Sequence, residues 1–145
     1  MASCINFKEQ RLFLNNMSFA RMMEFVLQVA EATARSAEER ELVAAFKKRS
    51  EDFWPGIGLD VETDFPTVAE RKFWARCFHD LARWIFLRKI GKHEVDFWQA
   101  ADIHTAYAIG NFFMYAAREY DSSFWPDSED SQLTRAFYER RKPKA

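Results

Sequence analysis

Apolar residues recur at helical spacing over most of the chain. At 100° per residue, Phe19, Met22, Met23, Val26 and Ala30 share one face, and Arg21, Glu24, Gln28, Glu31 and Arg35 share the other. This spacing predicts an amphipathic helix of about 17 residues. Ser36 and Glu39 stand in the Ser-x-x-Glu spacing of a capping box, opening a second helix that carries Leu42, Phe46 and Phe53 inward. Its predicted end is Trp54-Pro55-Gly56, because Pro55 lacks a donor and Gly56 permits a turn. After a loop from Gly56 to Pro66, Thr67 and Glu70 repeat the capping pattern and open a third helix to about Ile90, with Gly91 as the stop. A fourth helix is predicted from about Glu94 to Tyr120. The acidic, turn-like stretch Asp121 to Asp130 and a short fifth helix from about Ser131 to Arg141 complete the chain.

The N-terminal segment, residues 1–15, reads two ways. The alternation of Ile5 and Phe7 suits an edge strand, and a short helix suits the segment equally. The expected fold is therefore all-α: one helical domain over 1–145, an antiparallel bundle of four long helices plus a short C-terminal helix. The third and fourth helices are expected at its centre, because both are apolar over more than one stripe. The basic end, 142–145, is expected to fray. Phe-Trp recurs at 53–54, 73–74, 97–98 and 124–125, but the flanking patterns differ too much for a true repeat.

With 48% apolar and 17% aromatic residues, the chain has ample material for a core. The 21 Lys+Arg nearly balance the 22 Asp+Glu, which argues against nucleic-acid binding driven by global charge. Two cysteines are too few for a secreted disulfide scaffold. No signal-peptide pattern appears, and the apolar runs Trp84–Leu87 and Phe112–Ala117 fall far short of the roughly 20 residues of a membrane span. A cytoplasmic protein with no membrane association is expected.

Local charge is more informative. Seven cations lie between Thr67 and Lys92, and Lys72, Arg76, His79 and Arg83 fall within about 60° of one another by the helical period. Such a stripe could grip phosphates or an acidic partner; the slightly favoured reading is a solvated face balanced by the acidic loops. On the fourth helix Asp102 shares the apolar seam of Val95, Trp98, Ala106, Ile109, Phe113 and Ala117. A carboxylate there either pairs with an Arg of a neighbouring helix, the favoured reading, or acts as an acid or base at a cleft rim. His104 lies on another face, so the two form no dyad. Cys77 on the flank of an apolar face reads as an inert core thiol. Helical metal signatures, Gly-x-Ser-x-Gly, phosphate loops and dinucleotide turns are all missing from the sequence, so no cofactor, metal or catalytic residue is assigned.

Fifteen Phe and five Trp exceed what four or five short helices need to bury, and exposed aromatics flanked by charge are the composition of interface anchors. The candidate partner-binding residues are Trp54, Asp60, Glu62 and Asp64 in one acidic–aromatic loop and Trp125, Asp127, Glu129 and Asp130 in the other. The expectation is a non-enzymatic protein that covers a partner's functional surface, such as a toxin or effector with a basic face. Small helical domains of this composition include immunity and antitoxin proteins, phage-encoded inhibitors and assembly adaptors. An aromatic surface would serve a homodimer as well. The alternatives, in order, are nucleic-acid or phosphate binding through the basic stripe and an enzyme using Asp102.

Overall fold

A computed structural model describes residues 2–51, 58–91 and 96–118. Its elements are β1 (Ala2–Phe7), β2 (Gln10–Asn15), α1 (Asn16–Thr33), α2 (Ala37–Ser50), β3 (Leu59–Asp60), α3 (Val61–Asp64), α4 (Val68–Phe86) and α5 (Asp96–Ala117). The four long helices expected are present, but the all-α bundle is not the fold. The N-terminal segment is a β-hairpin, and β3, in the stretch expected to be a loop, joins it in a three-stranded mixed sheet of order β2–β1–β3. β1 pairs antiparallel with β2 and parallel with β3, and so lies at the sheet centre instead of its edge. The expected fifth helix falls outside the described residues.

The hairpin escapes sequence reasoning because of its turn. Phe7 pairs with Gln10, which leaves Lys8 and Glu9 as a two-residue loop. Lys8 has φ 56, a conformation that such loops ordinarily assign to Gly or Asn. Ser3, Ile5 and Phe7 of β1 and Leu12 and Leu14 of β2 turn inward, and the buried Ser3 hydroxyl donates to Asn16 Oδ1 at 2.8 Å. Asn15 then caps α1, its Oδ1 accepting from the Met17 amide at 2.8 Å. Ahead of β3, Gly58 permits the close approach to β1: a Cβ there would stand 2.9 Å from the Cys4 carbonyl oxygen.

The predicted caps of the later helices form where expected. Ser36 Oγ and Thr67 Oγ1 each accept the backbone N–H three residues on, at 3.1 Å. α4, however, stops at Phe86, short of the expected Ile90. Its last turn closes in a Schellman pattern, with the Arg88 amide donating to the Ile85 carbonyl at 3.0 Å and the Lys89 amide to the Trp84 carbonyl at 2.9 Å. Arg88 takes the left-handed position at φ 57, and a pattern search for Gly finds only Gly91 three residues later.

α4 and α5 run antiparallel through the centre. Cross-links near one end (Arg71 to the Ala116 carbonyl), the middle (His79 to Asn111) and the other end (Gln99 to the Ile85 carbonyl) define the register. α1 packs along α4 with its own C-terminus beside Arg76. Trp74 packs against the rings of Phe46, Phe65 and Phe73, and Phe65 and Phe78 both meet Phe113. These contacts tie α2, α4 and α5 into one apolar cluster with the sheet.

Arg71 is the buried joint of this assembly. Its Nε donates to the Phe65 carbonyl at 2.8 Å, Nη1 to Ala116 at 3.2 Å and Nη2 to Pro66 at 3.5 Å, with the guanidinium carbon 5.0 Å from the Phe7 ring centroid. The Ala116 carbonyl lies in the last turn of α5, where the helix dipole favours a cation. A compact ammonium cannot span these partners. Arg71→Lys is therefore expected to cost about 2 kcal/mol, read as a lower urea midpoint; an unchanged midpoint would contradict the role. Lys8→Gly is expected to raise stability by about 1 kcal/mol by relieving the left-handed turn, on the same measurement.

Candidate functional site

Among the described residues, several ionisable side chains singled out by the sequence are committed to the fold, including Asp102, Arg76 and His79. Asp102 is buried on α5 and receives a two-point grip from Arg21 of α1, Nε to Oδ2 at 2.9 Å and Nη2 to Oδ1 at 2.7 Å. The bidentate geometry offsets the desolvation of both charges. Of the basic stripe, Lys72 and Arg83 are exposed, whereas Arg76 and His79 turn inward, so the four do not form one surface. Arg76 Nη1 and Nη2 reach Glu39 Oε2 and Oε1 at 3.2 and 3.3 Å, and Nη2 also donates to the Thr33 carbonyl at 3.3 Å. It thereby joins the end of α1 to the start of α2. Glu39 accepts the Arg35 amide at 2.9 Å instead of closing the expected box on Ser36. Burial alone would raise the Glu39 carboxyl, but the Arg35 amide and the Arg76 guanidinium outweigh it and hold it below its ordinary range. Arg83 meets Asp80 only loosely, at 3.7 Å.

His79 lies in the α4–α5 contact. Its Nε2 is 2.9 Å from Asn111 Oδ1, and the Nε2–H tautomer donates to that oxygen. The ring lies over Gly110, where an added Cβ would stand 2.4 Å from Cδ2. The Asn111 amide nitrogen is buried and meets no acceptor among the described residues. Burial lowers the His79 pKa against the opposing effects of Asn111 and Asp80, with Arg83 adding to the depression. Cys77 is fully buried and its thiol is pushed up to about 12, chiefly by burial. Neither group is poised as a nucleophile or an accessible base. Among the described residues no three His, Cys, Asp or Glu side chains converge in a metal-binding group, and no helix is long and apolar enough to cross a membrane.

The described acidic loop also works locally. Asp60 caps α3 by accepting from the Glu62 amide at 3.0 Å, and Asp64 accepts the Asp60 amide at 3.0 Å while pairing with Arg49 at 3.3 Å. Glu62 is exposed. Trp54, Trp125, Asp127, Glu129 and Asp130 lie outside the described residues.

A surface feature absent from the sequence-based candidates is formed by Phe86, Leu87 and Trp98, which are 66%, 52% and 54% exposed. Gln99 donates to the Ile85 carbonyl at 2.8 Å, which brings the first turn of α5 beside the last turn of α4 and these three side chains to one end of the hairpin. Met17, also exposed, precedes Arg21 by one turn, and Trp98 precedes Asp102 by one turn. With α1 and α5 running the same way, Met17 belongs to that end too. Trp98 was expected on the inward seam; instead it projects where α4 has already ended. The run Trp84-Ile85-Phe86-Leu87 held the usable signal, since four consecutive apolar residues on a helix cannot all face one side.

Comparison with known protein families, characterised proteins and solved structures returned no match.

The burial of His79 has a consequence in solution. The unfolded imidazole takes up its proton near its ordinary pKa of 6.5 and the folded one only at lower pH. Stability present at pH 7 should therefore decline as pH drops through 6.5 and level off below the folded pKa. Urea midpoints of wild type and His79→Gln between pH 7.5 and about pH 5 test this. The wild type should lose stability over that window, with a smaller loss in the variant; parallel curves would contradict the assignment.

Proposed function

We propose that the protein is a non-enzymatic protein-binding module that acts by covering a partner's functional surface, in the manner of a small inhibitor or neutralising protein. The observation that carries this reading is the group of exposed large apolar side chains, Phe86, Leu87 and Trp98, on a rigid helical end. Tryptophan and phenylalanine supply large contact area at small conformational cost, and such residues dominate measured interface energetics. The commitment of Asp102, His79 and Cys77 to the interior supports the same reading, because none of them offers an open reactive group. Asp60 and Asp64 already serve their own loop, so the hairpin end carries more of the proposed contact than the described acidic loop does.

The test is co-purification of the full tagged chain from its native host, read by mass spectrometry and by absorbance at 260 nm. Wild type should retain one protein in stoichiometric amount, and Phe86→Ser/Trp98→Ser should lose at least about tenfold of it while keeping the wild-type circular dichroism spectrum and melting temperature. Recovery of nucleic acid alone, or of no partner, would overturn the reading.

A further inference from the structure

Among the described residues, the turn that ends α4 and exposes Phe86 and Leu87 beside Trp98 is also positively charged. Arg83, Arg88 and Lys89 are all exposed within this stretch, and no acidic residue occurs between Leu81 and Gly91. On the facing turn of α5 the sequence carries one acid, Asp96, at the first position; Trp98 to Ala101 add no charge, and Asp102 is buried with Arg21. The nearest described acid on α4 is Asp80, loosely paired with Arg83. In a chain of net charge -1 this is a local segregation of charge. The helix dipole accounts for the sign of charges after the end of α4. It does not account for their company with three exposed apolar side chains.

The presentation is preorganised. Three backbone hydrogen bonds, from Leu87 to Arg83, Arg88 to Ile85 and Lys89 to Trp84, hold the turn at 2.9–3.0 Å, and Gln99 anchors the start of α5 to it. A partner meeting this surface orders few backbone degrees of freedom in the turn itself.

Resting on the binding-module reading above, we infer that the partner is a protein surface on which carboxylates surround an apolar hollow, with the hollow taking Phe86 and Trp98 and the carboxylates facing Arg83 and Lys89. A second copy of this chain docked through the same face would oppose like charges.

The probe is a fluorescein-labelled peptide of alternating Glu and Phe, titrated with the full-length chain and followed by anisotropy. Affinity should fall at least about tenfold between roughly 0.05 M and 0.5 M NaCl. Arg83→Glu/Lys89→Glu should weaken binding by a similar factor, a peptide with Gln in place of Glu should bind no better than that variant, and Arg40→Glu/Lys48→Glu, which reverses two exposed cations on α2, should change nothing. Absence of binding at low salt, equal affinity for the Gln peptide, or an equal effect of the α2 reversal would overturn the inference. So would a dimer of the free chain, or co-sedimentation with phosphatidylserine vesicles, if either is lost in the Arg83→Glu/Lys89→Glu variant. A co-purified protein that stays bound at high salt and to Arg83→Glu/Lys89→Glu would sink the acidic partner and leave the binding module standing; no co-purified protein would sink both.

Discussion

A single buried guanidinium decides how the two halves of this fold meet. Arg71 touches the turn before α4, the last turn of α5 and the Phe7 ring of β1. Carbonyl oxygens supply most of its contacts, and that choice has structural consequences. A carboxylate partner would neutralise the charge through one side chain, whereas carbonyl groups must be delivered by backbone already in place. The Phe65–Pro66 turn, the end of α5 and the sheet are therefore positioned together, and loss of any one would strand a buried cation.

Similar devices recur around the core. Arg21 grips Asp102 between α1 and α5, Arg76 joins α1, α2 and α4 through Glu39 and the Thr33 carbonyl, and Arg49 fastens the end of α2 to α3. Each of these pairings offsets part of the desolvation of the groups it brings inward, and each arginine connects segments that are distant in sequence. At His79 the constraint is steric as well, because the imidazole occupies the space a side chain at position 110 would need. Much of the ionisable chemistry is spent on register, and the hairpin end is left as a surface where exposed apolar and cationic side chains coincide.

The candidate site divides along the same line. The pairing of Asp102 with a neighbouring Arg and the inertness of Cys77 were readable, because a lone carboxylate or thiol on an apolar helical face has few tolerable environments. The fate of the basic stripe was not. Lys72, Arg76, His79 and Arg83 share a helical face, yet only the placement of Glu39 and Asn111 turns the middle two inward. The exposure of Trp98 was equally hidden, since its position on the apolar seam is indistinguishable from that of Ala106 until the end of α4 is known.

What the sequence determined by itself is local: the periodicity of the four long helices and the Ser36 and Thr67 caps, all of which depend on residues within a turn or two of one another. Tertiary structure alone decided the sheet, because the hairpin turns on Lys8 and Glu9 without a glycine and β3 is two residues of pairing with a distant strand. It also decided which charges are structural and which apolar side chains meet water. Helix formation is written in neighbours along the chain, whereas burial is a property of whatever arrives from elsewhere, and that arrival leaves no mark at the position it covers.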